Sequence, residues 1–299
     1  MGKNHQLRRE IPLYLMVLPP TVLMLIYCYG PMFGLVMAFQ KFMPVEGFFG
    51  SKWVGMENFR KIFSMPDVPQ VIGNTFFIAA MKIIFDTLAA IAVAILLNEI
   101  ISRRFRKTVQ TIIYFPYFLS WVILGGVMRD ILATDGLVNV VFGYMGIHPI
   151  GFLTDEAIFP WTLVATELWQ ITGFGTIVFL AAIVGIDPGL YEASKIDGAG
   201  RLRQVWHITL PGMSVTIVLM LILSMGSILN AGFDQILNLY SPMVYKTGDV
   251  IDTWVYRIGL RQAQYSLATA FGLFRSLVSL VMMTGAYLIA YKKFDYRVF

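Results

Sequence analysis

Two long apolar runs of this chain are separated by the polar sequence Glu192-Ala193-Ser194-Lys195-Ile196-Asp197-Gly198-Ala199, which is followed by Ile208-Thr209-Leu210-Pro211. Asp187-Pro188 is a typical helix start, because Asp accepts hydrogen bonds from free backbone N–H groups and Pro is favoured at the first helical position. Gly198 can adopt the left-handed conformation that ends a helix. We therefore expect segment 187–211 to be a bent element of two short helices, with Pro211 opening the next apolar run.

The composition around this segment is that of an integral membrane protein. Of the 299 residues, 57% are hydrophobic and 14% are charged, and the mean hydropathy is +0.69. Soluble domains have roughly 45 to 50% apolar and about 25% charged residues. The formal net charge of +5 does not indicate nucleic-acid binding, because Lys and Arg cluster at the ends of apolar runs and so report membrane topology.

Metal and thiol chemistry are not expected. Cys28 is the single cysteine, and His5, His148 and His207 lie far apart in the chain. The sequence therefore contains no disulfide framework and no metal-ligand spacing.

Apolar runs long enough to cross a bilayer as helices recur along the chain. We predict six spans, at 13–38, 74–97, 109–128, 158–184, 212–231 and 268–290. The stretches between them are too short for a separate soluble domain. The prediction is therefore an all-α polytopic membrane protein, with residues 1–299 forming a single transmembrane domain.

The cationic groups give the orientation. In a six-span arrangement they all fall on one side: Lys3 to Arg9, Arg103 to Lys107, Lys195 to Arg203, and Lys292 to Arg297. The positive-inside rule makes that side cytoplasmic. Both termini and segment 187–211 are therefore predicted to be cytoplasmic.

Segment 187–211 resembles the EAA coupling loop of permeases from binding-protein-dependent ABC importers. The matched positions are Glu192, Ala193, Asp197, Gly198, Ile208, Leu210 and Pro211, with Ser194 in place of the usual second Ala and Ala199 following the Asp-Gly pair. Other stretches are similar to carbohydrate-type permeases, and among these to the branch for complex oligosaccharides such as polygalacturonate or alginate: 14–20, 53–59, 114–116, 252–260 and 266–276.

This resemblance implies a type I importer permease in a bacterial cell membrane, carrying a sugar or oligosaccharide. It also implies three kinds of partner, namely a second permease subunit, two ATPase subunits and an extracytoplasmic solute-binding protein. ATP and Mg would be bound by the ATPase, since this chain has no Gly-x-x-x-x-Gly-Lys-[Ser/Thr] phosphate loop and is expected to bind no cofactor. Without the motif, an amphipathic linker in the headgroup region would fit Lys195, Arg201, Arg203 and Trp206 as well.

Charged residues inside spans are costly and are therefore candidates for a polar path. Lys82, Glu167 and Arg275 each lie about 12 to 15 Å from the outer ends of spans two, four and six, at about 1.5 Å per residue. The alternative is structural, with Lys82 paired to Asp86 four residues on and Glu167 paired to Arg275. An excess of cation would favour an acidic oligosaccharide, but the two cations are matched by two anions.

Polar and aromatic residues of spans four and five complete the predicted substrate path, because sugars bind through hydrogen bonds and aromatic faces. These are Trp169, Gln170 and Thr172 in span four, and Ser227 and Asn230 in span five. We expect Ser227 and Asn230 to share one helical face, one turn apart.

Three other functions are compatible with a membrane-embedded chain. An intramembrane enzyme is disfavoured, because no catalytic residues can be assigned to the spans. An ion-coupled secondary transporter could use Lys82, Asp86 and Glu167 as proton carriers, but it leaves the EAA-like segment unexplained. An importer of the same fold for a non-sugar solute stays open.

Overall fold

The computed structural model describes residues 3–226 and 228–294. The α-helices used below are labelled in chain order: α1 Lys3–Met24, α2 Val68–Glu99, α3 Arg103–Tyr114, α4 Trp121–Leu132, α5 Phe159–Val184, α6 Pro188–Ile196, α7 Leu210–Gly226, α8 Phe233–Leu239 and α9 Tyr265–Phe294.

Shorter elements connect these helices. Short α-helices span Gly47–Gly50, Glu57–Phe63, Leu137–Tyr144, Arg201–Gln204, Tyr245–Gly248 and Ile251–Tyr256. Turns of π-helix lie at Leu25–Tyr29, Val205–Thr209 and Arg257–Arg261, and 3₁₀ segments at Gly30–Phe39, Phe115–Phe118 and Pro242–Val244. Two strands, β1 Gln40–Lys41 and β2 Lys52–Trp53, pair antiparallel with Gln40 opposite Trp53.

The predicted all-α membrane fold is confirmed. Five helical stretches of the described residues are long and apolar enough to cross a membrane: Glu10–Phe39, Val68–Glu99, Phe159–Val184, Arg201–Gly226 and Tyr265–Ile289. A sixth crossing is obtained if Arg103–Phe118 and Trp121–Tyr144, which meet at 104°, are counted together.

The span predicted at 109–128 is therefore a bent pair and not a straight helix. The bend follows Pro116 and consists of Leu119 and Ser120, which both have extended backbone conformations, with ψ of 134° and 150°. The carbonyl of Leu119 leaves the helical ladder and accepts a hydrogen bond of 3.1 Å from Nε2 of Gln170. A side chain of α5 thus satisfies a backbone group that the bend exposes.

The span predicted at 212–231 differs at both ends. At its start, one helical stretch runs from Arg201 to Gly226 without interruption, so Pro211 lies inside it. A proline ring clashes with the carbonyl four residues earlier, which is that of His207. His207 lies in the wider π-helical turn Val205–Thr209, where the normal hydrogen-bond ladder is relaxed.

At its other end the helix stops at Gly226, and α8 begins after Gly232, whose φ is +90°. Asn230 is therefore not on a helical face, and the expectation that it shares one with Ser227 is wrong; Ser227 itself lies outside the described residues. The helix does not continue through Asn230 because the carbonyls on either side of it accept hydrogen bonds from cationic side chains and not from helical N–H groups. Arg275 donates to the carbonyl of Leu229, and Lys82 donates to that of Ala231.

The described chain divides into two compact units. One contains the residues up to Met65 together with Val255–Phe274, and the other contains Pro66–Trp254 and the residues from Arg275 onward. In the first unit, Nδ2 of the buried Asn58 donates to the carbonyls of Ala38 (2.8 Å) and Gln40 (2.9 Å), which fixes the start of the hairpin. That residues 1–299 form a single domain stays a prediction.

The second unit is built around the pairing of α2 with α5. Small residues let these helices approach closely, since a Cβ added at Gly175 would lie 2.8 Å from the Cβ of Ala90. The side chains of Phe179, Ile183 and Met213 are buried beside this contact. Further along the same helices, a second buried cluster contains Ile78, Phe159, Leu163, Leu229 and Ile236.

Candidate functional site

Segment 187–211 begins and turns as predicted. Oδ1 of Asp187 accepts a hydrogen bond of 2.8 Å from the N–H of Gly189, and Pro188 is the first residue of α6. The helix ends at Ile196, and Gly198 has a φ of +76°. Left-handed backbone of this kind is the usual C-terminal signal of a helix and favours glycine.

The two arms of the segment are joined by side chains. Nε2 of Gln204 donates to Oγ of Ser194 (2.9 Å), and that hydroxyl donates to the carbonyl of Tyr191 (2.9 Å). The hydroxyls of Tyr191 and Thr209 lie 3.0 Å apart. The sequence reading missed Tyr191, Gln204 and Thr209, although Tyr191 and Ser194 are three residues apart and so share a helical face.

The opposite face of α6 is exposed. Glu192 and Ala193 are exposed, and 88% of the surface of Ile196 is accessible. Leu202, beyond the turn, is 77% exposed. A rigid, exposed face that mixes a carboxylate with apolar side chains is typical of an interaction surface.

The remaining motif residues surround this face. Asp197, Gly198 and Pro211 are exposed, whereas Ala199, Ile208 and Leu210 are half-buried. The residues favouring the headgroup alternative, Lys195, Arg201, Arg203 and Trp206, are also exposed. One of them is partnered, because Nη1 of Arg201 lies 3.3 Å from Oε2 of Glu99 at the end of α2.

A polar cluster lies among apolar helices at the other end of α7. Its centre is Lys82 of α2, which is 8% exposed. Nζ donates to the carbonyl of Ala231 at 2.7 Å, forms an ion pair of 3.5 Å with Oε2 of Glu167, and donates to Oε1 of Gln235. Two of the residues predicted to line the substrate path, Lys82 and Glu167, are therefore in contact.

Gln235 holds this cluster together and was not predicted. It is fully buried, and its Nε2 donates to the carbonyl of Leu163 (2.8 Å) and to Oγ1 of Thr166 (2.7 Å). The sequence signal that could have identified Gln235 is an amide side chain within an apolar stretch. Such a side chain, once buried, needs hydrogen-bond partners.

Arg275 pairs with Asp252 and not with Glu167. Its Nη1 lies 2.6 Å from Oδ1 of Asp252, and its Nε donates to the carbonyl of Leu229 at 3.1 Å. Burial raises the pKa of the Asp252 carboxyl, and the Arg275 guanidinium opposes this rise. The alternative pairings of Lys82 with Asp86 and of Glu167 with Arg275 are both wrong.

The polar cluster borders a cavity of about 150 Å³. The residues lining it come from α2, α5, α7 and the turn before α8: Ala79, Lys82, Ile83, Asp86, Glu167, Ile171, Ser224, Asn230 and Gly232. A Cβ at Gly232 would lie 2.5 Å from Nζ of Lys82, so the close approach of this ammonium requires glycine there.

The other predicted path residues lie elsewhere. Arg275 does not line the cavity, and Trp169 is 49% exposed on the surface of the chain. Gln170 binds the bend at Leu119, and Oγ1 of Thr172 donates to the carbonyl of Leu168 within α5 at 2.6 Å. Within the described ranges, no three His, Cys, Asp or Glu side chains lie close enough to hold a metal ion.

Comparison with known proteins agrees with this architecture. Residues 86–292 match the family described as "Binding-protein-dependent transport system inner membrane component". Two similar proteins come from Bacillus subtilis (strain 168). Protein LplB is 40% identical, with 97% of this chain and 91% of LplB aligned. "Polygalacturonan/rhamnogalacturonan transport system permease protein YteP" is 41% identical, with 94% of this chain and 88% of YteP aligned.

A solved structure shows the same fold. It is described as a bacterial ABC transporter involved in the import of the acidic polysaccharide alginate, and one of its chains superimposes with a TM-score of 0.89 at 37% identity, covering 97% of this chain and 98% of that one. A further structure of the alginate transporter contains a pentasaccharide-bound periplasmic protein, and the TM-score there is 0.88 at 36% identity, covering 96% of both chains. This chain thus belongs to the family of inner-membrane permease components of binding-protein-dependent ABC importers.

Proposed function

We propose that this chain forms half of the membrane pathway of an ATP-driven importer for a sugar or oligosaccharide. In this proposal, segment 187–211 transmits movement from a separate ATPase to the polar cavity. The observation that supports this role is that one continuous helix connects segment 187–211 to the cavity. Beyond Gly198 the chain continues as the unbroken helical stretch Arg201–Gly226, which the hydrogen bond between Gln204 and Ser194 links to α6. Ser224, in the last turn of this stretch, lines the cavity.

The contact with the ATPase is assigned to the exposed face of the segment. Glu192, Ala193 and Ile196 lie on this face, and the hydrogen bond between Gln204 and Ser194 keeps α6 from moving independently of the next arm. Two ATPase subunits bind ATP and Mg in this scheme. ATP binding and hydrolysis can drive the conformational change of the permease because the segment binds with different affinity to the open and the closed ATPase dimer.

The sugar assignment is supported by the relatives and by the chemistry of the cavity. The names of YteP and of the alginate transporter refer to polysaccharides. The cavity offers Ser224, Asn230, Asp86 and Glu167, which are hydroxyl, amide and carboxylate groups suited to hydrogen bonds with sugar hydroxyls. A second permease subunit completes the pathway, and an extracytoplasmic solute-binding protein delivers the solute.

The orientation follows from charge. With Arg103 to Lys107 and Lys195 to Arg203 facing the cytoplasm, both termini lie on the cytoplasmic side of a bacterial cell membrane. This orientation places segment 187–211 where an ATPase can reach it.

A pull-down in mild detergent tests the coupling role. We expect the wild-type chain to recover a second permease and an ATPase, and we expect Glu192→Ala and Gly198→Pro to lose the ATPase while keeping the second permease. Recovery of the chain alone, unaffected by either substitution, would refute the proposal.

An ion-coupled secondary transporter is the second candidate, because Asp86 places a carboxylate inside the cavity. Uptake into proteoliposomes separates the two functions. Uptake that requires ATP and the ATPase supports the importer, and uptake driven by an ion gradient without ATP supports the alternative.

A further inference from the structure

The ammonium group of Lys82 lines the cavity but is not available to bind a solute. An ammonium group has three N–H donors, and all three donors of Lys82 have acceptors within the protein: the carbonyl of Ala231, Oε2 of Glu167 and Oε1 of Gln235. The charge of Lys82 is balanced by Glu167, and its hydrogen bonds maintain the turn before α8. It has no further donor to offer to an anionic solute.

The second intramembrane cation is also neutralised. Arg275 forms its ion pair with Asp252 at 2.6 Å and donates to the carbonyl of Leu229, and it does not line the cavity. Each of the two cations that could attract an acidic sugar is thus matched by one carboxylate of this chain.

Asp86 has no such match. It lies one turn beyond Lys82 on α2 and lines the same cavity. Its Oδ1 atom is buried and has no hydrogen-bond partner among the described residues. With Lys82 and Glu167 paired, the carboxylate of Asp86 gives the lining one negative charge in excess.

We propose, on the basis of the function above, that this cavity accepts uncharged or cationic sugar units and that the Asp86 carboxylate excludes units bearing a uronate. A neutral sugar in the cavity can donate a hydroxyl hydrogen bond to the Asp86 carboxylate. A uronate brings a second carboxylate next to the first in a space of low dielectric constant, where like charges repel strongly. One residue thus supplies both the attraction and the repulsion on which specificity depends.

In this proposal, the chain differs from its similar relatives in the charge of the solute that it carries. The names of YteP and of the alginate transporter refer to galacturonan and to an acidic polysaccharide. The shared fold carries no information on this point, because solute preference is determined by the groups that face the cavity.

The charge of the cavity can be measured with cysteine reagents. Cys28→Ser removes the single cysteine, and Asn230→Cys then places a thiol in the cavity lining. In the assembled transporter, the modification rates of a cationic and an anionic methanethiosulfonate of similar size are compared. We expect the cationic reagent to react faster, and we expect Asp86→Asn to lower the ratio of the two rates by about three- to tenfold.

Asp234→Asn is the matched control, because Asp234 is an exposed carboxylate at the start of α8 that does not line the cavity. It should leave the ratio unchanged. An equal ratio in the wild type and in Asp86→Asn would overturn the inference. Failure of both reagents to react would also overturn it, since no solute could then reach the cavity.

Transport distinguishes this inference from the function on which it rests. Proteoliposomes containing the complete importer are supplied with trigalacturonate or with its neutral methyl ester. Because the solute-binding protein is the same throughout, its own preference cancels when variants are compared. Asp86→Asn should raise the uptake of trigalacturonate relative to the ester by about three- to tenfold. An unchanged ratio contradicts this inference alone, and absence of ATP-dependent uptake of any sugar contradicts the proposed function.

Discussion

Gln204 donates a hydrogen bond of 2.9 Å to the hydroxyl of Ser194 and thereby joins the two arms of the 187–211 segment across the turn at Gly198. A second, longer contact of 3.5 Å links the same amide to the carbonyl of Tyr191. The orientation of α6 is therefore fixed by side chains as well as by the backbone of the turn.

Replacing Gln204 with Met should loosen α6. Loss of one partly buried hydrogen bond costs about 0.5 to 1.5 kcal/mol, which corresponds to amide exchange about two- to tenfold faster in α6. Hydrogen exchange of residues 188–198 measures this change. Gln264→Met is the control, because Gln264 is exposed and its side chain donates a hydrogen bond to the neighbouring Gln262. Identical exchange in both variants would show that the Gln204 contact does not hold the helix.

Substituting Gly198 with Ala should weaken ATPase binding. The φ of +76° at this position places a side chain in left-handed backbone, at a cost of about 1 to 2 kcal/mol. Gly200→Ala is a close control, since Gly200 has a φ of −70° and an added Cβ there meets nothing within 4 Å. Recovery of the ATPase in pull-downs should fall only for Gly198→Ala. Equal loss in the two variants would contradict the assigned backbone role.

Removing the ammonium of Lys82 should destabilise the membrane domain severely. Lys82→Met leaves the Glu167 carboxylate without its counter-charge and the Ala231 carbonyl without a donor, and breaking such a buried pair costs about 3 to 5 kcal/mol. Thermal unfolding in detergent measures the loss. Lys246→Met, which removes an exposed pair with Glu156 (3.7 Å), should cost no more than about 1 kcal/mol.

A double variant shows how much of this loss comes from the unpaired charge. Lys82→Met combined with Glu167→Leu should unfold at a higher temperature than Lys82→Met alone, because no uncompensated carboxylate remains. Additive losses in the double variant would argue against the ion pair.

Gly173 should tolerate no side chain. A Cβ at this position would lie 2.5 Å from the carbonyl oxygen of Ile113 and 2.9 Å from Cα of Tyr114, which are backbone atoms that cannot rotate away. Gly173→Ala should lower the free energy of unfolding by about 1 to 3 kcal/mol through overpacking. Gly126→Ala, where an added Cβ meets nothing within 4 Å, should change the unfolding temperature little. A similar response to both substitutions would contradict the close approach of α3 to α5.

The fold was largely predictable because its signals are local. Apolar runs of span length, the Asp187-Pro188 start and the glycine at position 198 each act within a few residues of chain. The bend at Leu119 and the end of α7 were not predictable in the same way. Both depend on distant side chains, since Gln170 binds the carbonyl exposed at the bend, and Lys82 and Arg275 bind carbonyls of the turn after α7.

The polar cluster shows the same limit. Hydropathy identifies Lys82, Asp86, Glu167 and Arg275 as unusual, but it cannot say which charges meet. Sequence spacing suggested Asp86 as the partner of Lys82, whereas the structure turns the ammonium towards Glu167 and leaves Asp86 facing the cavity. Partner choice depends on the rotation of each helix about its axis, and that rotation is determined by packing.

The unbroken helical stretch Arg201–Gly226 has a mechanical consequence. Its 26 residues span about 39 Å at about 1.5 Å per residue. A tilt of about 5° about its cytoplasmic end would carry its far end sideways by about 3 Å, as follows from that length. This displacement exceeds the 2.7 Å hydrogen bond between Lys82 and the carbonyl of Ala231. A small rotation at one face of the membrane is therefore enough to exchange one set of contacts for another in its interior.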